Sequence, residues 1–291
     1  MSPDGPQRIW KKIATFYVLT LLFTAVFGTM DIRAPDNIIL TTAIMWCPAL
    51  ATLATKWLFR ERIRDIAWGW GSGHYATSAY FIPLLYALPV YLVVWLTGFG
   101  GFYDNEFASK VVAEYGLSSL AMPVALAAYV VVAMTAGFVA KAGRALGEEI
   151  GWRGFLVPEL AKVTGFTGIG LISGLMWAAW HYPFIAFSDY NSGTPTWYAI
   201  SCFTVMVVAG GFIAAWITLR SRSLWPAVIF HVSHNMFIQM IFTPLTTDRG
   251  HTAYLIDEFG AGLAMTSLIA AIFVWRRRGD LDMPVAATHI S

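Results

Sequence analysis

Charge is what this sequence has least of. Only 12% of its 291 residues are Asp, Glu, Lys or Arg, about half of the roughly 25% in a typical globular chain. The formal net charge of +2 leaves no basic field, and no run of Lys and Arg has aromatics interleaved, so nucleic acid is excluded as a partner. Cysteine is almost absent. Cys47 and Cys202 sit in apolar stretches without CxxC spacing, so they supply neither a disulfide framework nor a thiolate metal site. They read as small buried hydrophobes. Gly/Ser linkers, low-complexity tracts and internal repeats are also missing, and residues 1–291 read as a single integral membrane domain.

Apolar residues are abundant: 57% of the chain is hydrophobic and the mean hydropathy is +0.61. A soluble fold of this size has no surface for so much Trp, Phe and Leu. A membrane-spanning helix needs about 20 mostly apolar residues. Eight segments come close: Ile13–Thr29, Ile38–Leu58, Ala76–Leu96, Leu120–Ala140, Gly165–Phe187, Trp197–Leu219, Leu224–Thr243 and Phe259–Trp275. The first follows Arg8, Lys11 and Lys12, as a signal peptide would. No small-x-small site follows its core cleanly, so it reads as an uncleaved span. With the N-terminus inside, the outer loops hold only Arg33, Lys110 and Arg249 of the 19 basic residues. The positive-inside rule therefore gives an all-α, polytopic membrane protein with eight transmembrane helices and both termini cytoplasmic. Lys141–Thr164 is helical in pattern but carries charge, and follows the fourth span.

Ionisable groups cost about 2.5–3.5 kcal/mol each at a span centre on insertion scales, so those within or beside spans are paired or used. Three places break the apolar pattern. The first is Gly147-Glu148-Glu149-Ile150-Gly151-Trp152-Arg153-Gly154, the second Trp177-Ala178-Ala179-Trp180-His181, and the third His231-Val232-Ser233-His234-Asn235. Glu149 and Arg153 share a helical face and are expected to pair. Glu148 points about 100° away and has no such partner in its own helix. Gly143, Gly147 and Gly151 form a small-residue ladder that admits a second helix closely. The alternative is a loop helix with ordinary surface charges. Likewise His181, and the His231–Asn235 pair beside His234, could serve as structural glue between helices. Brought together from three helices, Glu148, His181, His231 and Asn235 could instead activate water and hold an oxyanion.

In this order the motifs resemble the CPBP family, the CAAX prenyl protease and bacteriocin-processing (Abi) intramembrane endopeptidases. That pattern is Glu-Glu-x-x-x-Arg, then aromatic-x-x-x-His, then His-x-x-x-Asn. Here it reads Glu148-Glu149-x-x-x-Arg153, Trp177-x-x-x-His181 and His231-x-x-x-Asn235, within residues 144–235. Trp177 departs from the Phe usual in the eukaryotic prenyl protease, a change expected to alter pocket shape more than chemistry. The resemblance implies a multi-pass peptidase in which Glu148 deprotonates water with help from His181. His231 and Asn235 would bind the carbonyl oxygen, while Glu149, Arg153, Trp177 and His234 support the site.

The family was long described as metalloproteases, and zinc held by Glu148, His181 and His231 is the alternative to a cofactor-free mechanism. The zinc-protease motif His-Glu-x-x-His is absent. A Ser–His dyad and a pair of intramembrane Asp residues are missing as well, since Ser72 and His74 fall in a polar loop. The expected partners are the lipid bilayer and a peptide or protein substrate. A prenylated Cys-a-a-X end and a leader peptide are both open. The compact chain, its short loops and its Arg-rich inner side suggest a bacterial inner membrane. Two readings compete with a protease: a non-catalytic scaffold or immunity protein, and a proton-coupled transporter. The intact Glu148, His181, His231 and Asn235 set speaks against the first, and the lack of a repeated half against the second. The protease reading expects these four residues around one cavity, close enough to share a water and open towards the cytoplasmic half.

Overall fold

The computed structural model describes residues 5–31 and 37–281; Arg33, used in the charge count, lies outside them. The chain is helical nearly throughout. Helices α1 (Pro6–Asp31), α2 (Ile38–Leu58) and α3 (Gly73–Thr97) come first. A short α4 (Asn105–Glu114) follows, capped by the Asp104 side chain on the Phe107 N–H. Next come α5 (Met122–Val132), α6 (Phe138–Gly151), α7 (Val157–Leu160), α8 (Phe166–Phe187), α9 (Thr196–Ser221), α10 (Trp225–Asn235) and α11 (Ala261–Arg276). The one extended pairing joins β1 (Gly101–Phe102) to β2 (Thr246–Thr247), antiparallel, among the described residues.

Six helices in the described residues are long and apolar enough to cross a membrane. They include a continuous Met122–Leu160 helix of 39 residues, built from α5, α6 and α7. The seventh and eighth expected spans are also helical but shorter. α10 has 11 residues and continues into a π-helical turn at Met236–Phe242, and α11 has 16. Leu96, Phe187 and Trp57, at 83%, 88% and 77% exposed, suit a lipid solvent.

The fourth span settles an alternative left open by the sequence. The charged stretch after Ala140 is not a loop helix: from Gly147 to Leu160 all but one residue, Pro158, is buried. The physical reason is charge compensation inside the bundle together with the glycine ladder. A methyl placed on Gly147 would meet the Trp46 ring at 2.8 Å and one on Gly151 would meet Pro48 at 2.4 Å, so α6 packs directly on α2. Gly143 has open space at its Cα, and its carbonyl accepts the Trp46 indole N–H at 3.0 Å. Two π-helical turns, Ala133–Gly137 and Trp152–Leu156, interrupt this long helix. The second falls directly after the two glutamates, and such turns are frequent at functional sites.

One end of the bundle is tied by ion pairs. Lys12, fully buried, reaches Glu61 at 2.6 Å and Glu159 at 2.8 Å, and Lys56 reaches Glu61 at 3.3 Å. Phe16 then packs against Trp152 and Phe155, with ring centroids 5.6 and 5.0 Å apart. Further along, Trp180 donates to the Thr24 hydroxyl at 2.8 Å. This sets α8 against α1 and directs Trp177 and His181 into the bundle.

Candidate active site

Glu148 and Glu149 are adjacent, but the helix sends them to different neighbours. Glu149 is completely buried, and its Oε1 accepts from Arg153 at 3.0 Å and from His231 Nδ1 at 2.8 Å. The Arg153 guanidinium, 1% exposed, lies 4.1 Å from the Trp177 ring centroid, close enough for cation–π attraction. Glu149 Oε2 and Arg153 Nε have no hydrogen-bond partner, so the pair depends heavily on these few contacts. Glu148, 2% exposed, has no partner on its own helix; its Oε2 accepts the Trp177 indole N–H at 2.9 Å. Trp177 therefore touches the carboxylate directly. Its place in the motif is chemical as well as steric.

The two histidines are oriented through Nδ1. His181 Nδ1 lies 2.9 Å from the Trp177 carbonyl one turn earlier. A carbonyl only accepts, so Nδ1 carries the proton and Nε2 of the neutral ring keeps its lone pair. The His181 ring is also packed by Trp180, Phe203 and Tyr190. His231 Nδ1 faces the Glu149 carboxylate, which leaves Nε2 as its second polar atom. Asn235 lies one turn later on α10, and its amide has no hydrogen-bond partner among the described residues.

A cavity of about 340 Å³ is lined by Glu148, Trp177, His181, His231 and Asn235, so these motif residues from α6, α8 and α10 come together. Glu149 and Arg153 lie behind that wall. Among the described residues, no group of three His, Cys, Asp or Glu side chains is arranged to hold a metal ion. The set Glu148, His181 and His231 shares the cavity without forming such a cluster.

The cavity does not reach the expected end of the bundle. Its rim includes Asp31 at the end of α1, Thr41 near the start of α2, and Ser188 just past α8. The cluster of Lys12, Lys56, Glu61 and Glu159 lies at the opposite end. The reason is the path of the long helix. Because it passes through the bundle, Glu148 sits about 18 Å along the axis from Leu160. Lys141 and Arg144, counted with the basic end, instead line the cavity.

Sequence reasoning missed a second polar group in the same cavity. His234 lies between the Tyr86 hydroxyl, at 2.5 Å from Nδ1, and Glu258 Oε1, at 2.9 Å from Nε2. The other oxygen of Glu258 accepts from Tyr190 at 2.6 Å and Gln239 at 2.9 Å. Glu258, just before α11, is 5% exposed and lines the cavity. Its only sequence signal is an acidic residue at the edge of the last apolar segment. His234, bonded through both nitrogens, holds α10 to α3 and to the 248–260 segment.

Part of the chain is similar to known proteins. Residues 119–237 match the family described as type II CAAX prenyl endopeptidase, Rce1-like. Over 96 residues the chain is 29% identical to CAAX prenyl protease 2 of Methanococcus maripaludis, a match covering 31% of this chain and 34% of that protein. The chain thus spans about a third of the length of that relative. The family match contains all three motifs, and the resemblance to the CPBP family holds over this region.

Proposed function

We propose, on that similarity and on the cavity geometry, that this chain is an intramembrane endopeptidase of the CAAX-processing type, acting by glutamate-activated water. One observation carries the reading. Glu148 is buried, is held by the Trp177 indole, and shares one cavity with His181, His231 and Asn235. In the proposed step a water bound between Glu148 and His181 attacks the peptide carbonyl carbon and its proton passes to Glu148. The carbonyl oxygen becomes an oxyanion, bonded by the Asn235 amide and by His231 Nε2 when that nitrogen carries a proton. Collapse breaks the C–N bond, and the proton returns from Glu148 to the leaving amine. His181, with Nε2 as an acceptor, orients the water or shares that proton. Glu149 and Arg153 keep His231 and Trp177 in place. No metal enters this sequence of steps.

The protein is multi-pass and its substrate is a membrane-associated peptide or protein. Its place in a bacterial inner membrane, and its action as one membrane domain over residues 1–291, belong to the same proposal. Sequencing new peptide termini in membranes carrying the native chain or Glu148→Gln at equal abundance tests it. Gln preserves shape but cannot take the proton, and loss of general-base catalysis removes about 10²–10⁴-fold in rate. Termini that disappear in the variant are the expected result. Identical termini from a folded variant would support the scaffold or transporter reading instead.

A further inference from the structure

The mouth of the cavity and the Lys12 cluster are separated by the length of α1. Lys12 and Asp31 stand 19 residues apart on that helix, about 28 Å at 1.5 Å per residue. That is close to the roughly 30 Å thickness of a bilayer's hydrocarbon core. Other parts of the chain return to the Lys12 end. The Leu224 N–H donates to the Ala67 carbonyl at 2.9 Å and the Trp225 indole to the Trp68 carbonyl at 2.7 Å. The α9–α10 turn therefore sits on the segment after α2. Trp275 donates to Thr167 at 2.9 Å and Trp216 to the Arg277 carbonyl at 3.3 Å, so α11 ends beside the start of α8. At the cavity's end, the 243–260 segment pairs with β1, and its Tyr254 carbonyl accepts from Tyr198 near the start of α9 at 2.7 Å.

The positive-inside bias survives when Lys141, Arg144 and Arg153, which lie within the bundle, are left out. The Lys12 end keeps Arg60, Arg62 and Arg64 after α2, Arg220 and Arg222 at the α9–α10 turn, and three arginines at 276–278. The described connections at the cavity's end, 98–121, 188–195 and 243–260, hold Lys110 and Arg249 as their Lys and Arg residues. Against these stand the exposed Glu106, Glu114, Asp189 and Asp248.

We propose that the catalytic cavity opens on the extracytoplasmic face of the membrane, and that its substrate is an exported polypeptide segment reached from that side. Short connections rich in Lys and Arg stay in the cytoplasm, which puts the rim on the far face. The cytoplasmic approach to Glu148 is filled. Trp152 and Phe155, 0% and 2% exposed, pack on Phe16, and Lys12 bridges to Glu159 beyond them. A peptide carbonyl therefore reaches Glu148 past Asp31, Thr41 and Ser188. This opening favours a chain already translocated over a Cys-a-a-X terminus that stays in the cytoplasm. The choice of substrate rests on the peptidase reading; the side of the opening does not.

The experiment uses the full chain carrying Cys47→Ala and Cys202→Ala, in right-side-out and inverted vesicles from the same cells. Single cysteines are placed at the rim, by Ser188→Cys or Thr41→Cys, and at the other end, by Arg62→Cys. A charged, membrane-impermeant maleimide should label the rim positions in right-side-out vesicles, with that labelling lost in inverted ones. Arg62→Cys should give the reverse. An elution volume equal to that of the native chain identifies a folded variant, and either rim position suffices. Rim labelling confined to inverted vesicles overturns the inference, and so does equal labelling from both sides. The substrate is read separately, from peptide termini that disappear in membranes carrying Glu148→Gln. Those termini should fall in segments that a protease added to right-side-out vesicles also digests. Termini confined to cytoplasmic segments overturn the substrate assignment. Rim labelling from outside without any Glu148-dependent termini would leave the opening standing and remove the peptidase reading.

Discussion

The Glu149–Arg153 pair offers the sharpest test of how this site is held together. Both side chains are at most 1% exposed and meet at 3.0 Å, with His231 on the same carboxylate oxygen. Substituting Glu149→Gln keeps the volume and an acceptor oxygen but leaves the guanidinium uncompensated. Breaking a buried pair by removing one partner costs about 3–5 kcal/mol. At about 2–4 °C per kcal/mol for chains of 150–250 residues, unfolding should move down by about 6–20 °C. Arg153→Met should cost a comparable amount, because it strands the carboxylate and uncovers Trp177. The double variant should lose much less than the sum, since neither charge is then left alone. A double-mutant cycle measured by intrinsic tryptophan fluorescence in detergent should give a coupling of about 2 kcal/mol or more. Additivity within about 0.5 kcal/mol would refute the claim that each charge is retained for the other.

Two further outcomes follow from geometry elsewhere in the bundle. Gly151→Ala places a methyl 2.4 Å from Pro48, so α2 must retreat, and overpacking of this kind costs about 1–3 kcal/mol. Gly143→Ala meets nothing within 4 Å and should leave the unfolding temperature unchanged or slightly higher; equal losses in both would sink the close-contact argument. The second outcome concerns pH. Burial pushes the Glu61 carboxyl up, but the hydrogen bond and charge of Lys12, with Lys56 adding to both, hold it below the ordinary Glu value. A lowered folded-state pKa stabilises fully above the unfolded value of about 4.3, and that contribution is lost as pH falls through the folded value. The unfolding temperature of the native chain should therefore exceed that of Glu61→Gln at pH 7, and the gap should close below about pH 4. A gap that is constant from pH 7 to pH 3 would contradict this account.

Much of the site was legible because helix geometry is periodic. The four-residue spacing of Glu149 and Arg153 gives their ion pair, and the same spacing puts Trp177 and His181 in contact through a backbone carbonyl. The isolation of Glu148 on its own helix was equally readable. Whether the helical Lys141–Thr164 stretch was a surface loop helix or buried stayed open in the sequence, because hydropathy scores each side chain alone and does not see Glu149 and Arg153 neutralise each other. For the same reason Lys141 and Arg144 were placed at the wrong end of the bundle. Glu258, Tyr86 and Tyr190 carried no motif. Tyr86 reaches the cavity from α3, Glu258 through the 248–260 segment and Tyr190 through the α8–α9 connection, placements that local periodicity does not encode.

The sequence by itself determined that this chain lives in a bilayer, since so little charge and so many apolar segments leave no aqueous solution to the fold. It also determined which few polar residues had to be accounted for, because each one is expensive there. Only the tertiary structure decided what they face: that the Trp177 indole holds Glu148, that His234 is bonded on both sides to Tyr86 and Glu258, and that the cavity reaches the end away from the Lys12 cluster. Those outcomes depend on how α6 settles between α2, α8 and α10. That packing is set by contacts between residues far apart in sequence, and no local spacing specifies it.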